Sequence, residues 1–210
     1  LYYMARNQNF VGKNAAARTV NPGTFDFGLI GGTFGGPILK DKLFFFASVE
    51  SDEVTEPGTI FRANEGGETP GGNITRVRRT DLEQLSTFLQ TNFGYETGPF
   101  QGYNFGTPSQ RYNARLDYNL NDRNKFSLRY TQLNSSSDIL LSNSTSLGFG
   151  NRRTSVNGLN FANSNYAILE NIRSLVGEYN TQFGSNMSNQ LIVGYTTNDE
   201  SRKEFGSRFP

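Results

Sequence analysis

Charged or polar side chains recur at every second position in two neighbouring segments, residues 109–121 and 124–133, and alternate there with Tyr, Ala, Leu and Phe. Successive side chains of a β-strand point to opposite faces, so a period of two predicts two strands with one polar and one apolar face each. Such a polar face is typical of a wall that encloses a water-filled lumen. The charged positions predicted to face that lumen are Arg111, Arg115, Asp117, Lys125 and Arg129.

Three arginines, Arg76, Arg78 and Arg79, lie together just before a predicted helix. Guanidinium groups bind phosphates and carboxylates well, so this cluster is a candidate contact for an anionic ligand or for lipopolysaccharide phosphates. A solvated basic run with no ligand is the competing interpretation.

Acidic residues offer weaker candidates for chemistry. Asp52, Glu53 and Glu56 could bind calcium through their oxygens, but they lack the spacing of an EF-hand, and a solvated strand end is the favoured interpretation. Glu50 or Asp117 could serve a glycosidase, yet nothing in the sequence pairs two such carboxylates. We therefore predict no metal site and no enzyme.

Composition excludes several classes of function. The chain of 210 residues has no His and no Cys, which removes histidine bases, histidine metal ligands, disulfides and thiolate metal sites. Its net charge of +1 gives no reason to expect nucleic acid as a partner. The glycines between residues 28 and 36 do not form a dinucleotide or phosphate-loop pattern, so they indicate bends or close backbone contacts, and no cofactor is expected.

The pattern of strand signals predicts an all-β architecture. Only 35% of the residues are hydrophobic, yet there are 18 Phe and 10 Tyr, which suits a sheet with one polar and one apolar face. One helix is predicted at residues 80–93, with Thr80 and Glu83 as a capping box and Gly94 as the stop. The roughly seven predicted strands cover residues 1–7, 25–39, 43–56, 109–121, 124–133, 165–183 (with a bulge near Gly177) and 189–199.

The lengths of the connections alternate. Turns at 40–42, 121–124 and 184–188 are short, whereas the connections 9–24, 57–108 and 134–164 are long and polar. Short turns on one side and long loops on the other are typical of outer-membrane barrels, whose turns are periplasmic and whose loops are extracellular. We expect the loop helix to pack through Leu82, Leu85 and Leu89.

Residues 31–50 carry a resemblance to a known family. The run Gly-Gly-Pro-Ile, then Lys-Asp-Lys, then Leu-Phe-Phe-Phe with a following Glu resembles an early barrel hairpin of TonB-dependent outer-membrane transporters, in particular their Oar-like branch. Residues 189–196 resemble a recurrent strand of the same family. The resemblance implies a transmembrane antiparallel barrel of roughly 22 strands, of which this chain would supply about seven.

The family also implies partners. Residues 1–210 would be part of a single barrel domain in the bacterial outer membrane, in contact with its lipid. The TonB complex would act through a plug segment that this chain lacks, and the transported ligand is not readable from the sequence. Because Leu1 reads as the middle of a strand, we expect an internal piece of a barrel whose first and last strands are open edges, prone to aggregate if expressed alone.

Two alternatives stay open at this point. A porin-like channel or a surface adhesin would keep the barrel without energised transport. A soluble, secreted, carbohydrate-binding β-sandwich would also show alternating strands.

Overall fold

The computed structural model describes residues 1–12, 14–15, 18–19, 24–143 and 152–206. The predicted loops 9–24 and 134–164 therefore lie partly outside the described residues, and residues 207–210 lie wholly outside them. In chain order the elements are β1 Tyr2–Asn7, β2 Asn14–Ala15, β3 Arg18–Thr19, β4 Asp26–Leu39, β5 Leu43–Pro57, β6 Arg62–Asn64, β7 Ile74–Arg78, α1 Arg79–Phe93, β8 Asn104–Asn121, β9 Asn124–Ile139, β10 Tyr166–Phe183, β11 Met187–Asp199 and β12 Arg202–Glu204.

The long strands form one antiparallel sheet in the order β1-β4-β5-β8-β9-β10-β11. Each strand pairs with the next long strand of the chain, and β12 prolongs the β11 edge by pairing with the start of β10. Within the described residues β1 and β11 do not pair with each other, so the sheet has two open edges. The predicted all-β meander with open edges is confirmed. Among the described residues the further sheets are the two-stranded pairs β2–β3 and β6–β7, too small to form the second layer of a β-sandwich.

Two strands are longer than predicted. β8 begins at Asn104 instead of residue 109, and β9 continues to Ile139 instead of residue 133. Pro108 has no N–H group and looked like a loop residue, but β8 pairs with β9 only from Ser109 onward, so the missing donor costs no ladder bond on that side. Partner strands, which no local pattern reveals, stabilise these extensions.

Short turns lie at one end of the sheet, and the long connections lie at the other. The turn after β4 places Asp41 in the left-handed region at φ 61°, and the turn after β10 uses Gly184 at φ 66°. The predicted bulge near Gly177 is wrong, because both registers run unbroken through that residue. Irregular pairing occurs instead at Pro37/Leu39 and Asn119/Asn121, beside the short turns.

At the long-connection end, residues 58–103 and 152–165 fold together into one body, here called the loop unit. Its small core consists of Ala63, Leu82 and Leu159, with partly buried aromatic side chains around it. Backbone bonds join the two connections, for example from the Arg76 N–H to the Val156 carbonyl at 2.7 Å. Residues predicted as polar loops therefore include a packed unit with its own helix.

The helix begins one residue earlier than predicted. Arg78 occupies the N-cap position with no side-chain cap bond, and Thr80 lies inside the first turn, so the predicted capping box is wrong. β7 runs directly into the helix, so the strand pairing rather than a capping side chain decides where the helix starts. Leu82 is buried, but Leu85 is 46% exposed, so the packing expected for Leu85 is also wrong.

Gly94 ends the helix in the left-handed conformation at φ 63°, as predicted. No helix within the described residues is long and apolar enough to cross a membrane.

Candidate functional site

The five charged candidates of the wall share one face of the sheet, here called the polar face. Arg115 lies directly opposite Arg129, and Asn119 lies opposite Lys125. Side chains that oppose each other in an antiparallel pair lie on the same face. The same face continues into β5 through Glu50 and into β10 through Glu178. That this face lines a lumen stays a prediction.

Near the long-connection end, a hydrogen-bonded network crosses the first four strands of the sheet on the polar face. Tyr2 of β1 lies across Gly31 of β4, and its hydroxyl donates to Glu50 of β5. Arg111 of β8 donates to Asp52 at 2.5 Å and lies 3.8 Å from the Glu50 carboxylate. A Cβ at Gly31 would meet the Tyr2 ring at 2.5 Å, so only glycine leaves room for this crossing.

Nearer the short turns, the polar face holds an excess of cations. Like charges directly opposite each other destabilise a sheet, and Arg115 and Arg129 form such a pair. Asp117 compensates Arg115, whose Nε and Nη2 atoms bond it at 2.9 and 2.7 Å. Glu178 accepts from Asn180 and Gln190 and also interacts electrostatically with Arg115 and Arg129. Within the described residues Arg129 and Lys125 have no ion-pair partner within 4.0 Å.

A cavity of about 420 Å³ opens beside these cations at the short-turn end. Lys125 and Arg123 lie in its lining together with Asp122 and the amides of Asn180 and Gln190. Cations and amide groups at this rim can bind an acidic or carbonyl-rich segment, which is chemistry suited to contact with another protein segment.

The opposite face of the same sheet, here called the apolar face, carries large exposed hydrophobic side chains. Leu116 lies between Phe45 of β5 and Leu128 of β9, and Tyr118 lies opposite Phe126. Soluble proteins rarely leave such a broad apolar surface uncovered. The exposed members include Val49, Leu116, Tyr118, Phe126, Tyr130, Leu175, Tyr179, Leu191, Val193 and Tyr195.

In the loop unit, Arg79 is held by partners of its own. Its Nε and Nη2 atoms donate to the carboxylate of Glu65 at 2.8 and 2.6 Å, and the guanidinium lies 5.7 Å from the centre of the Phe100 ring. A ligand would have to displace Glu65 to reach it. Arg76 and Arg78 are exposed, and neither has a side-chain partner among the described residues. The ligand-contact prediction thus stays a prediction and applies best to Arg76 and Arg78.

A second ion pair fixes the start of the loop unit. Arg62 donates to both carboxylate oxygens of Glu68, at 2.8 and 2.6 Å. These bonds, with help from the Glu65 N–H, lower the pKa of Glu68 to about 2. The bonds from Arg79 likewise lower the pKa of Glu65. Non-local pairs of this kind carry no signal in the sequence.

The acidic residues of β5 do not gather into a metal site. Asp52 faces Arg111, whereas its neighbour Glu53 points to the other side of the sheet, and no metal-binding group of three or more acidic residues occurs in the described part of the chain. Glu50 and Asp117, considered above for a glycosidase, each lie beside an arginine of the polar face.

Residues 1–63 match the family model of an outer membrane beta barrel domain. No curated protein and no solved structure gives a significant match. The matched segment contains β1, β4 and β5, the first three strands of the sheet. Together with the antiparallel meander and its apolar face, the match identifies an all-β, partial barrel of an outer-membrane protein, located in the bacterial outer membrane.

Proposed function

We propose that the chain forms part of the wall of a TonB-dependent outer-membrane transporter of the Oar-like type, which imports a large or scarce ligand. The carrying observation is a single sheet with a charged polar face and an apolar face. The apolar face contacts lipid, and the polar face, with Arg111, Arg115, Asp117, Lys125 and Arg129, lines the lumen. The resemblance of residues 31–50 to TonB-dependent transporters supports the choice of this family. We assign no catalytic role to any residue of the chain.

The cations without partners support a filled lumen. Within the described residues Arg129 and Lys125 form no ion pair within 4.0 Å, and Arg115 opposes Arg129 directly, with Glu178 acting on both arginines only from a longer distance. A plug segment with acidic or carbonyl groups would compensate these charges, whereas water alone would leave the repulsion in place. TonB would act on that plug, which lies outside this chain.

The loop unit faces outward in this proposal, because long connections of outer-membrane barrels are extracellular. Arg76 and Arg78 are its exposed cations and our candidates for contact with an anionic part of the ligand. A membrane-impermeant maleimide should label Arg78→Cys on intact cells, and should not label Asn186→Cys in the turn between β10 and β11. The reverse labelling pattern would show that the topology is inverted.

A porin-like channel is the second candidate, since a charged lumen wall also suits passive diffusion. The two functions differ in conductance and in partner. We expect the intact protein that contains this chain to be closed in planar bilayers, and to cross-link to TonB in cells. Steady ion conductance without a TonB cross-link would establish the channel and reject transport. A closed barrel that never cross-links to TonB would support a surface adhesin.

A further inference from the structure

The apolar face ends, toward the long connections, in a row of polar side chains here called the amide belt. Its members lie on neighbouring strands, because Gln110 opposes Asn134, Asn134 opposes Asn171, and Gln132 opposes Arg173. All of them share the face that carries Leu116 and Leu128 further down the same strands. The amide belt consists of Gln110, Gln132, Asn134, Asn171 and Arg173.

Two tyrosines mark where the apolar face meets this belt. Tyr112 and Tyr130 have their rings on the apolar face, and their hydroxyls donate to Gln110 at 3.2 Å and to Gln132 at 2.9 Å. Tyrosines of membrane proteins lie at the level of the lipid headgroups with the ring toward the hydrocarbon. The belt therefore lies in the headgroup layer, and the amide oxygens of Gln110 and Gln132 already accept from the tyrosines.

Because these amide oxygens already accept hydrogen bonds, the groups of the belt that remain for a ligand are hydrogen-bond donors. Gln132 also donates to the Asn134 oxygen at 3.3 Å, and within the described part of the sheet the N–H₂ groups of Gln110 and Asn134 have no acceptor. Arg173 uses only Nη1, which bonds the carbonyls of Leu133 and Ile172 at 3.0 Å each. Asp199 faces Asn171 across the β10–β11 pair and accepts from the Asn171 side chain as well as from the Ser201 N–H, the latter at 3.0 Å.

Arg173 is an unusual residue for this position. Arginine on a lipid-contacting face costs about 2–4 kcal/mol at the bilayer midplane and close to nothing near the interface. Among the described residues no carboxylate lies within 4.0 Å of its guanidinium. A fixed positive charge beside lipid, with two donor nitrogens unused, matches a phosphate of the lipid headgroup.

The belt also has a recess. Beyond the Ser109–Ser135 pair β8 separates from β9, and a cavity of about 270 Å³ opens between them. Gln110, Asn134 and Asn171 line it together with Pro108 and Leu169. Amide donors beside apolar walls suit a sugar ring, which offers hydroxyls at its edge and C–H groups on its faces.

We propose that the amide belt binds a phosphorylated glycolipid of the outer leaflet, with Arg173 on a phosphate and the recess occupied by a sugar of the headgroup. The proposal rests on the outward orientation of the long connections given under Proposed function. It requires neither TonB nor a transported ligand.

The test uses the intact protein that contains this chain, purified from outer membranes in detergent. Binding of bis-phosphorylated lipid A, dephosphorylated lipid A and phosphatidylglycerol is measured by native mass spectrometry. Arg173→Gln should weaken binding of the phosphorylated glycolipid about tenfold, the loss expected for one charge-assisted hydrogen bond. Arg173→Lys should retain part of the binding, and a heat-modifiability gel checks that each variant forms its barrel.

Matched controls lie on the other surfaces. Arg129→Gln on the polar face should leave glycolipid binding unchanged, and Arg78→Gln tests the competing phosphate contact in the loop unit. Unchanged binding in Arg173→Gln, or equal binding of phosphatidylglycerol by the native protein, would overturn the proposal. A loss confined to Arg78→Gln would place the lipid contact in the loop unit and overturn it too. The lipid-binding outcomes do not depend on the conductance and cross-linking results. The proposal of lipid binding can therefore be rejected while the proposal of transport stands, and the reverse.

Discussion

Leu116→Arg tests which face of the wall contacts lipid. Leu116 lies midway between Tyr112 and Leu120 of β8, both on the apolar face. Eight residues of antiparallel strand span about 27 Å, or about 21 Å along the membrane normal at a tilt of about 40°. Leu116 therefore lies near the bilayer midplane, where a lipid-facing arginine has its full cost.

That cost is about 2–4 kcal/mol, which lowers the folding equilibrium constant by about 30- to 700-fold. Asn113→Arg is the matched change three residues away on the same strand. Asn113 lies on the polar face between Ser48 and Thr131, both of which have small side chains. Its expected cost is below about 1 kcal/mol, as for ordinary surface changes.

The assay is barrel formation in lipid vesicles, scored as the heat-modifiable band of the intact protein on a gel. Leu116→Ala separates the effect of charge from the loss of an apolar side chain, and should assemble nearly as well as the native protein. Similar defects in Leu116→Arg and Asn113→Arg would refute the assignment of the two faces. A stronger defect in Asn113→Arg would show that the faces are reversed.

Three further changes test local contacts. Gly31→Val should lower the stability of the intact protein in thermal unfolding by about 1–3 kcal/mol, because the valine side chain overlaps the Tyr2 ring. Adding Tyr2→Ala to the same chain should recover part of the lost stability. If it recovers none, another contact causes the loss. Thr80→Ala should leave the protease resistance of the loop unit nearly unchanged, because Thr80 does not cap the helix. A loss of about 1 kcal/mol in the stability of the loop unit would instead show that Thr80 does act as the helix cap. The pKa of Glu68 is about 2, below its ordinary value of 4.5, so the Arg62–Glu68 pair should stabilise the loop unit above pH 4.5 and lose that effect as the pH falls toward 2. Glu68→Gln should remove this acid dependence of pepsin cleavage, and an identical pH profile in the variant would contradict the assignment.

The wall could be predicted from the sequence because each of its faces meets a different environment. Between Arg111 and Asn121 every residue must suit either the polar or the apolar side, and a slip of one position would exchange the two. Each strand shows this alternation in its own sequence, so its two faces can be assigned without knowing which strands pair with it. Arg115 and Asp117 can be placed on one face for the same reason, since residues two apart share a face, but their ion pair emerges only in the structure.

The loop unit could not be predicted in this way. Its core residues Ala63, Leu82 and Leu159 come from separate segments, and none of the segments alternates over a useful length. Thr80 and Glu83 had the right spacing for a capping box, but the pairing of β7 with β6 extends to Arg78 and starts the helix there. Tertiary pairing overrode a correct local preference.

The strand order explains why the two long connections meet. β8 and β9 form a hairpin with a short turn, so the connection before β8 and the connection after β9 leave the sheet at the same end, on either side of that hairpin. Tyr103 closes the base of the unit by packing on Gly58, where a Cβ would lie 2.1 Å from its ring, while its hydroxyl meets the Asn165 side chain at 3.5 Å. Gly58 follows β5 and Asn165 precedes β10, so this contact ties the ends of strands on both sides of the hairpin. The loop unit is therefore fixed to the wall through β5, β8 and β10, and a molecule that binds its exposed arginines meets a folded surface attached to the barrel.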